Sequence, residues 1–167
     1  MTGLRTAACD LFGTQYPIVQ TGMGWVAGAR LTAATSAAGG LGILASATMT
    51  MEELTTAVHA VKERTDRPFG VNLRSDQADV DERIALIVRE GVRVASFAQA
   101  PGERLVRTLK DQGVVVMPTI GAPRHAEKVA AWGWTRSSRR APRVVATPAP
   151  SRPRCSSRRS PAPWTSR

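Results

Sequence analysis

The segment Gln20-Thr21-Gly22-Met23-Gly24-Trp25 follows a short apolar run and mixes glycines with polar side chains. Glycine there lets the backbone approach a ligand closely, and the end of a strand is where α/β proteins build their sites. A plain connecting loop is the alternative. Asn72 lies near the end of the apolar run Phe69-Gly70-Val71-Asn72-Leu73. Its amide could serve a cofactor ring or a phosphate, or it could be a satisfied structural asparagine. Gly39-Gly40-Leu41-Gly42 resembles a dinucleotide-binding glycine loop only superficially. It leads into a strand, whereas that fingerprint follows a strand and opens a helix, so a tight helix-to-strand turn is expected. His59 and His125 have no cysteine, histidine or carboxylate at metal-ligand spacing, and Cys9 reads as a small buried hydrophobe. No metal site and no catalytic side chain is assigned.

The elements that must position these residues alternate. Apolar runs predict strands at Ile18–Thr21, Leu41–Leu44, Phe69–Leu73, Val92–Phe97 and Val114–Pro118. The last three are almost uninterrupted, as expected of parallel strands covered on both faces. Thr50-Met51-Glu52-Glu53 has the form of a capping box and opens a helix to about Glu63. Asp79 opens the next, with Ile84, Ile87 and Val88 as its buried stripe and Gly91 as a left-handed cap. Pro101 is expected at a first helical position, with Leu105, Val106 and Leu109 facing inward. A last helix is expected from Arg124 to Trp132. Five successive βα units predict an α/β fold with a parallel sheet, either doubly wound or a (β/α)8 barrel.

Composition divides the chain at Gly133. Residues 1–133 carry 14 Lys+Arg against 13 Asp+Glu; residues 134–167 carry nine Arg and no acid, and so supply nearly all of the formal +10 charge. The tail also has no Leu, Ile, Met, Phe or Tyr, and it holds six of the eleven prolines. Such a segment cannot offset its ordering entropy by burial, so an irregular, disordered tail is expected after a folded domain over 1–133. Basic charge of this amount ordinarily points to nucleic acid, but here it belongs to the tail and says nothing of the domain's ligand. The two cysteines fall on opposite sides of the break, and no apolar run suits a signal peptide or a membrane span. A reducing cytoplasm is the expectation.

The blocks Pro17-Ile18-Val19-Gln20-Thr21-Gly22-Met23-Gly24-Trp25, Ala38-Gly39-Gly40-Leu41-Gly42 and Thr65-Asp66-Arg67-Pro68-Phe69-Gly70-Val71-Asn72-Leu73 together resemble the nitronate monooxygenase (2-nitropropane dioxygenase) family over about residues 5–133. The resemblance implies an FMN-binding TIM barrel, of which this chain carries the first five βα units. It implies that Gly22, Met23 and Gly24 form the loop whose backbone packs on the flavin, and that Asn72 is a flavin-contacting amide. Thr119 falls where some members place a basic residue near FMN. The implied reaction is oxidation of an alkyl nitronate by FMN and O2 to a carbonyl compound and nitrite. The same family includes NAD(P)H:quinone reductases and enoyl-thioester reductases, which remain rival readings. A nucleic-acid-binding protein working through the arginine tail is the rival from another class, and nucleic acid is not the expected partner.

The family's catalytic histidine lies in a Gly-Gly-Gly-His segment after the sixth strand, and this chain has none. Its tail does permit one in another frame. Trp has the single codon TGG and Thr begins AC, so Trp134-Thr135 forces an Asp codon when read one step out of register. With G/C-rich codons, the shifted reading from Gly133 can run Val-Asp-Ala-Val-Ile-Ala-Gln-Gly-Ala-Glu-Gly-Gly-Gly-His-Thr-Gly. The expectation is that residues 134–167 are out-of-frame and that the 167-residue chain is a truncated, inactive fragment, with open sheet edges that invite association.

Overall fold

A computed structural model describes residues 4–99 and 101–119. Five parallel strands form one sheet in the order β1-β2-β3-β4-β5. They are β1 (Val19–Gln20), β2 (Leu41–Ala45), β3 (Phe69–Leu73), β4 (Val94–Phe97) and β5 (Val115–Pro118). The helices are α1 (Ala7–Phe12), α2 (Ala29–Ala37), α3 (Met51–Lys62), α4 (Val80–Arg89) and α5 (Glu103–Asp111). Each strand pairs with the next in sequence, with no reversal of order. A doubly wound sheet needs such a reversal, so the topology is that of the first five strands of a (β/α)8 barrel, and the sheet is curled as a half-barrel.

The two faces of the sheet carry separate cores. Leu44, Val71, Leu73, Ala95, Phe97 and Val116 pack outward against α3, α4 and α5. Leu41, Ile43, Val94 and Val115 line the concave face, where Phe12 of α1 joins them. Register places Ala45, Asn72, Ser96 and Met117 side by side, two residues beyond the apolar layer of Ile43, Gly70, Val94 and Val115. Side chains two apart on a strand share a face, so this second layer forms the concave side's C-terminal rim. It is the more polar of the two.

Local chemistry explains the helices. Thr50 accepts from the Glu53 backbone N–H while the Glu53 carboxylate accepts from the Thr50 N–H, completing the expected capping box. Gly91 and Gly113 adopt φ of +65° and +74° as the chain leaves α4 and α5. Gly42 admits α2 closely: a Cβ there would stand 2.2 Å from the Thr32 carbonyl oxygen. Pro101 does not open α5. Gly102 is the N-cap and the helix starts at Glu103, which leaves Pro101 as a buried residue before the cap. β1 is shorter than the run Ile18–Thr21: only Val19 and Gln20 pair with β2, and Ile18 and Val19 are exposed. α1 was not anticipated, since six residues are too few to show a helical period. The helix expected over 124–132 and the tail over 134–167 lie outside the described residues, as does His125. Among the described residues no helix is long and apolar enough to cross a membrane.

Candidate active site at the strand C-terminal rim

Asn72 is the centre of the rim. Its side-chain oxygen accepts from Ser96 Oγ at 3.0 Å, and its backbone carbonyl accepts from Ser46 Oγ at 2.6 Å. That fixes the amide plane and leaves Nδ2 with no hydrogen bond to any described residue. The loop after β1 packs directly onto it. A Cβ on Gly22 would stand 2.5 Å from Asn72 Cβ and 3.2 Å from Nδ2, so only glycine fits there. The structure therefore brings together two residues that the sequence singled out separately. Gly24 faces Thr48, and Met23 is partly exposed, its carbonyl accepting from the Val26 and Ala27 N–H groups. Thr119 stands just past β5 with its N–H donating to the Phe97 carbonyl at 3.0 Å; it shares the rim but makes no hydrogen bond to Asn72 or Ser96. Gln20 turns its amide onto the Ile43 and Thr21 carbonyls, with Oε1 buried and unpartnered among the described residues.

Three supporting residues escaped the sequence reading. Ser96 is the polar interruption in the β4 run, and Ser46 sits just past β2. Arg83 is the third, at 2% exposure on α4. Its guanidinium donates to the Ser46 carbonyl at 2.8 Å, the Met49 carbonyl at 2.7 Å and Asp79 Oδ2 at 2.7 Å, clamping the loop between β2 and α3. The Arg83 hydrogen bond holds the Asp79 carboxyl below the usual carboxylate range. An arginine among apolar helix positions, one residue before the Ile84 stripe, was the available signal. The other sequence-flagged groups make no contact with Asn72: Cys9 is buried on α1, and His59 on α3 lies 3.4 Å from Glu90.

The arrangement offers an exposed glycine-rich turn, a fixed amide whose Nδ2 donates to no described residue, and a row of small side chains. A planar ring carrying acceptor atoms fits such a rim, because backbone can approach it and Asn72 can donate to it.

Residues 5–84 match the family model described as nitronate monooxygenase. That match lies in the N-terminal part of the chain and spans just under half of it. Over 130 residues it is 63% identical to a (3aS,4S,5R,7aS)-5-hydroxy-7a-methyl-1-oxo-octahydro-1H-indene-4-carboxyl-CoA dehydrogenase of Mycobacterium tuberculosis, covering 78% of this chain and 37% of the relative. A nitronate monooxygenase of Pseudomonas aeruginosa is 38% identical over 98 residues, covering 57% of this chain and 28% of the relative. Among solved structures, FabK of Thermotoga maritima superposes with a TM-score of 0.74 at 35% identity, covering 78% of this chain and 42% of that one. A nitroalkane oxidase of Streptomyces ansochromogenes superposes at 0.68 with 28% identity, over 77% of this chain and 46% of that one. The family and these structural neighbours are flavoenzymes. The chain spans under two fifths of the length of the dehydrogenase.

Proposed function

We propose that residues 1–133 are the N-terminal part of an FMN-dependent oxidoreductase acting on the acyl-CoA thioester of a fused carbocycle. The observation that carries this reading is identity: 63% to the Mycobacterium tuberculosis dehydrogenase against 38% to the Pseudomonas aeruginosa nitronate monooxygenase. Oxidation of an alkyl nitronate with O2 is the second reading, favoured by the family match over residues 5–84. Reduction of an enoyl thioester is a third, favoured by the likeness to FabK.

FMN, when bound, supplies the two-electron redox chemistry, and the protein supplies position and electrostatics. Gly22 and Gly24 would let backbone lie against the ring system, and the Asn72 side-chain N–H would donate to it. Ser96 and Ser46 hold Asn72 in place. Met23 and Thr119 would border the same site. We further propose that residues 134–167 are out-of-frame, so activity belongs to the protein in which the frame continues after Gly133. Its nucleotide sequence across that codon tests the point directly.

The functional test compares three assays on the frame-continued protein: oxidation of a bicyclic carboxyl-CoA thioester, O2 uptake with an alkyl nitronate, and NAD(P)H oxidation with an enoyl thioester. The expected result is preference for the bicyclic thioester, with FMN as the released flavin. Nitrite release with no thioester oxidation would establish the second reading instead. Salt-dependent DNA binding by the 167-residue chain, lost on deleting 134–167, would point to the tail as the functional part.

A further inference from the structure

Met23, Gly24, Trp25 and Val26 form a turn in which the Val26 N–H donates to the Met23 carbonyl at 3.1 Å. The Ala27 N–H donates to the same carbonyl at 2.8 Å, and the Ala27 carbonyl accepts from the Ala45 N–H at 2.9 Å, which ties the turn to the end of β2. Trp25 occupies the turn's third position with φ of +64°, the only non-glycine residue with positive φ among those described. Glycine is the residue that takes this conformation freely, while a bulky side chain is strained in it. Gly24 stands one position earlier, where that freedom is not used. The indole is also 89% exposed, flanked by Val26 at 63% and Met23 at 39%. A strained, exposed tryptophan contributes nothing to the described core. Its place, on the loop that seats Gly22 against Asn72, is at the mouth of the candidate site.

We propose that Trp25, with Met23 and Val26, is the wall that receives the apolar ring system of the acyl group and selects substrates by the bulk of that ring. The inference rests on the acyl-thioester reading. An indole offers a large flat face with few rotatable bonds, so covering it with a fused hydrocarbon removes much apolar surface from water at small entropic cost. The two neighbouring side chains extend the same apolar surface. Neither carries a charge that would favour a polar or ionic acyl group.

The test uses Trp25→Gly and Trp25→Phe in the protein whose frame continues after Gly133 and reads stability and binding separately. Trp25→Gly relieves the backbone strain, so its Tm should equal or exceed that of the parent. Equilibrium dialysis with an octahydroindene-carboxyl-CoA should show binding weakened about tenfold or more in Trp25→Gly and only partly in Trp25→Phe. Acetyl-CoA and CoA alone should bind all three proteins alike. Loss of Tm together with loss of binding would make Trp25 a structural residue and overturn the proposal. So would equal binding by parent and Trp25→Gly, no binding of the bicyclic thioester by the parent, or an emission difference between parent and Trp25→Phe that acrylamide fails to quench. Oxidation assays are separate: ring binding that depends on Trp25, without thioester oxidation in the frame-continued protein, would leave this wall standing and remove the proposed reaction.

Discussion

Gly22 and Asn72 depend on each other at the scale of single side chains. The amide can be presented to a ligand only because nothing stands over it but backbone, and Ser96 keeps its oxygen turned into the sheet. Gly22→Ala places a methyl carbon 2.5 Å from Asn72 Cβ, and neither side can retreat, since Asn72 is held through its own backbone by Ser46. The expected cost is about 1–3 kcal/mol of stability. In the frame-continued protein flavin should be lost as well, because the amide proposed to face it is displaced. Gly28→Ala is the control on the same loop: a Cβ there meets nothing within 4 Å, so stability and flavin content should stay close to the parent. Denaturant titration and the flavin absorption band measure the two effects. A yellow, fully stable Gly22→Ala protein would show that the loop has room that the packing denies.

Between elements, Arg83 does for the β2–α3 loop what Ser46 and Ser96 do for Asn72. One buried guanidinium from α4 satisfies two loop carbonyls and pairs with Asp79. Arg83→Met should cost about 2–4 kcal/mol, because buried carbonyls lose their donors while the Asp79 charge loses its partner. Arg83→Lys should recover only part of this, since an ammonium cannot fork across Ser46, Met49 and Asp79 at once. Thermal melts of the two variants would check the order. A second inter-helix contact predicts a pH response. Glu90 at the end of α4 meets Lys62 and His59 of α3 and its neighbour Arg89, and the Lys62 hydrogen bond leads in lowering its pKa from 4.5 to about 2. A carboxylate depressed in the folded state stabilises above its unfolded pKa. That contribution should therefore be full above about pH 4.5 and disappear as pH falls toward 2. Glu90→Gln should flatten this part of the Tm–pH profile, and an unchanged profile would remove Glu90 from the account. Much of this architecture was readable in the residues. The capping box at Thr50, the stripe of Ile84 and Ile87 and the glycine cap at Gly91 are local signals with local causes, and the structure has all three. The rim was legible only in part. Gly22 and Asn72 announce themselves as a glycine and an amide beside strands, but their contact depends on sheet register. Arg83 was marked only by its place among apolar helix positions and by Asp79 four residues earlier; the two loop carbonyls it satisfies lie more than thirty residues away, which no local pattern encodes.

The molecule as a whole is a curled sheet whose first strand has one neighbour among the described residues. Ile18 and Val19 on that edge are 61% and 40% exposed, and Leu31 on α2 is 37% exposed. Beside them runs an apolar groove lined by Tyr16, Ile18, Ala34, Thr35, Ala38 and Gly40. Unpaired strand edges and contiguous apolar surface drive association, and a closed barrel removes both by returning its last strand to its first. The flavin phosphate in such barrels is commonly held by loops after the seventh and eighth strands, and neither strand is among the described residues. These two facts make a joint prediction. The 167-residue protein, expressed by itself, should be colourless, should elute as oligomers or fall into the insoluble fraction, and should release no nitrite and oxidise no acyl thioester. The protein whose frame continues after Gly133 should be soluble and yellow. In it, replacing the histidine of the recovered Gly-Gly-Gly-His segment should remove most activity while leaving the flavin bound, because that side chain is proposed to move a proton rather than to hold the cofactor. Size-exclusion chromatography with absorbance near the flavin band separates the alternatives in one run. A yellow monomer from the 167-residue chain would mean that five strands suffice to hold the cofactor, and both the edge argument and the proposed reading of the tail would fall together.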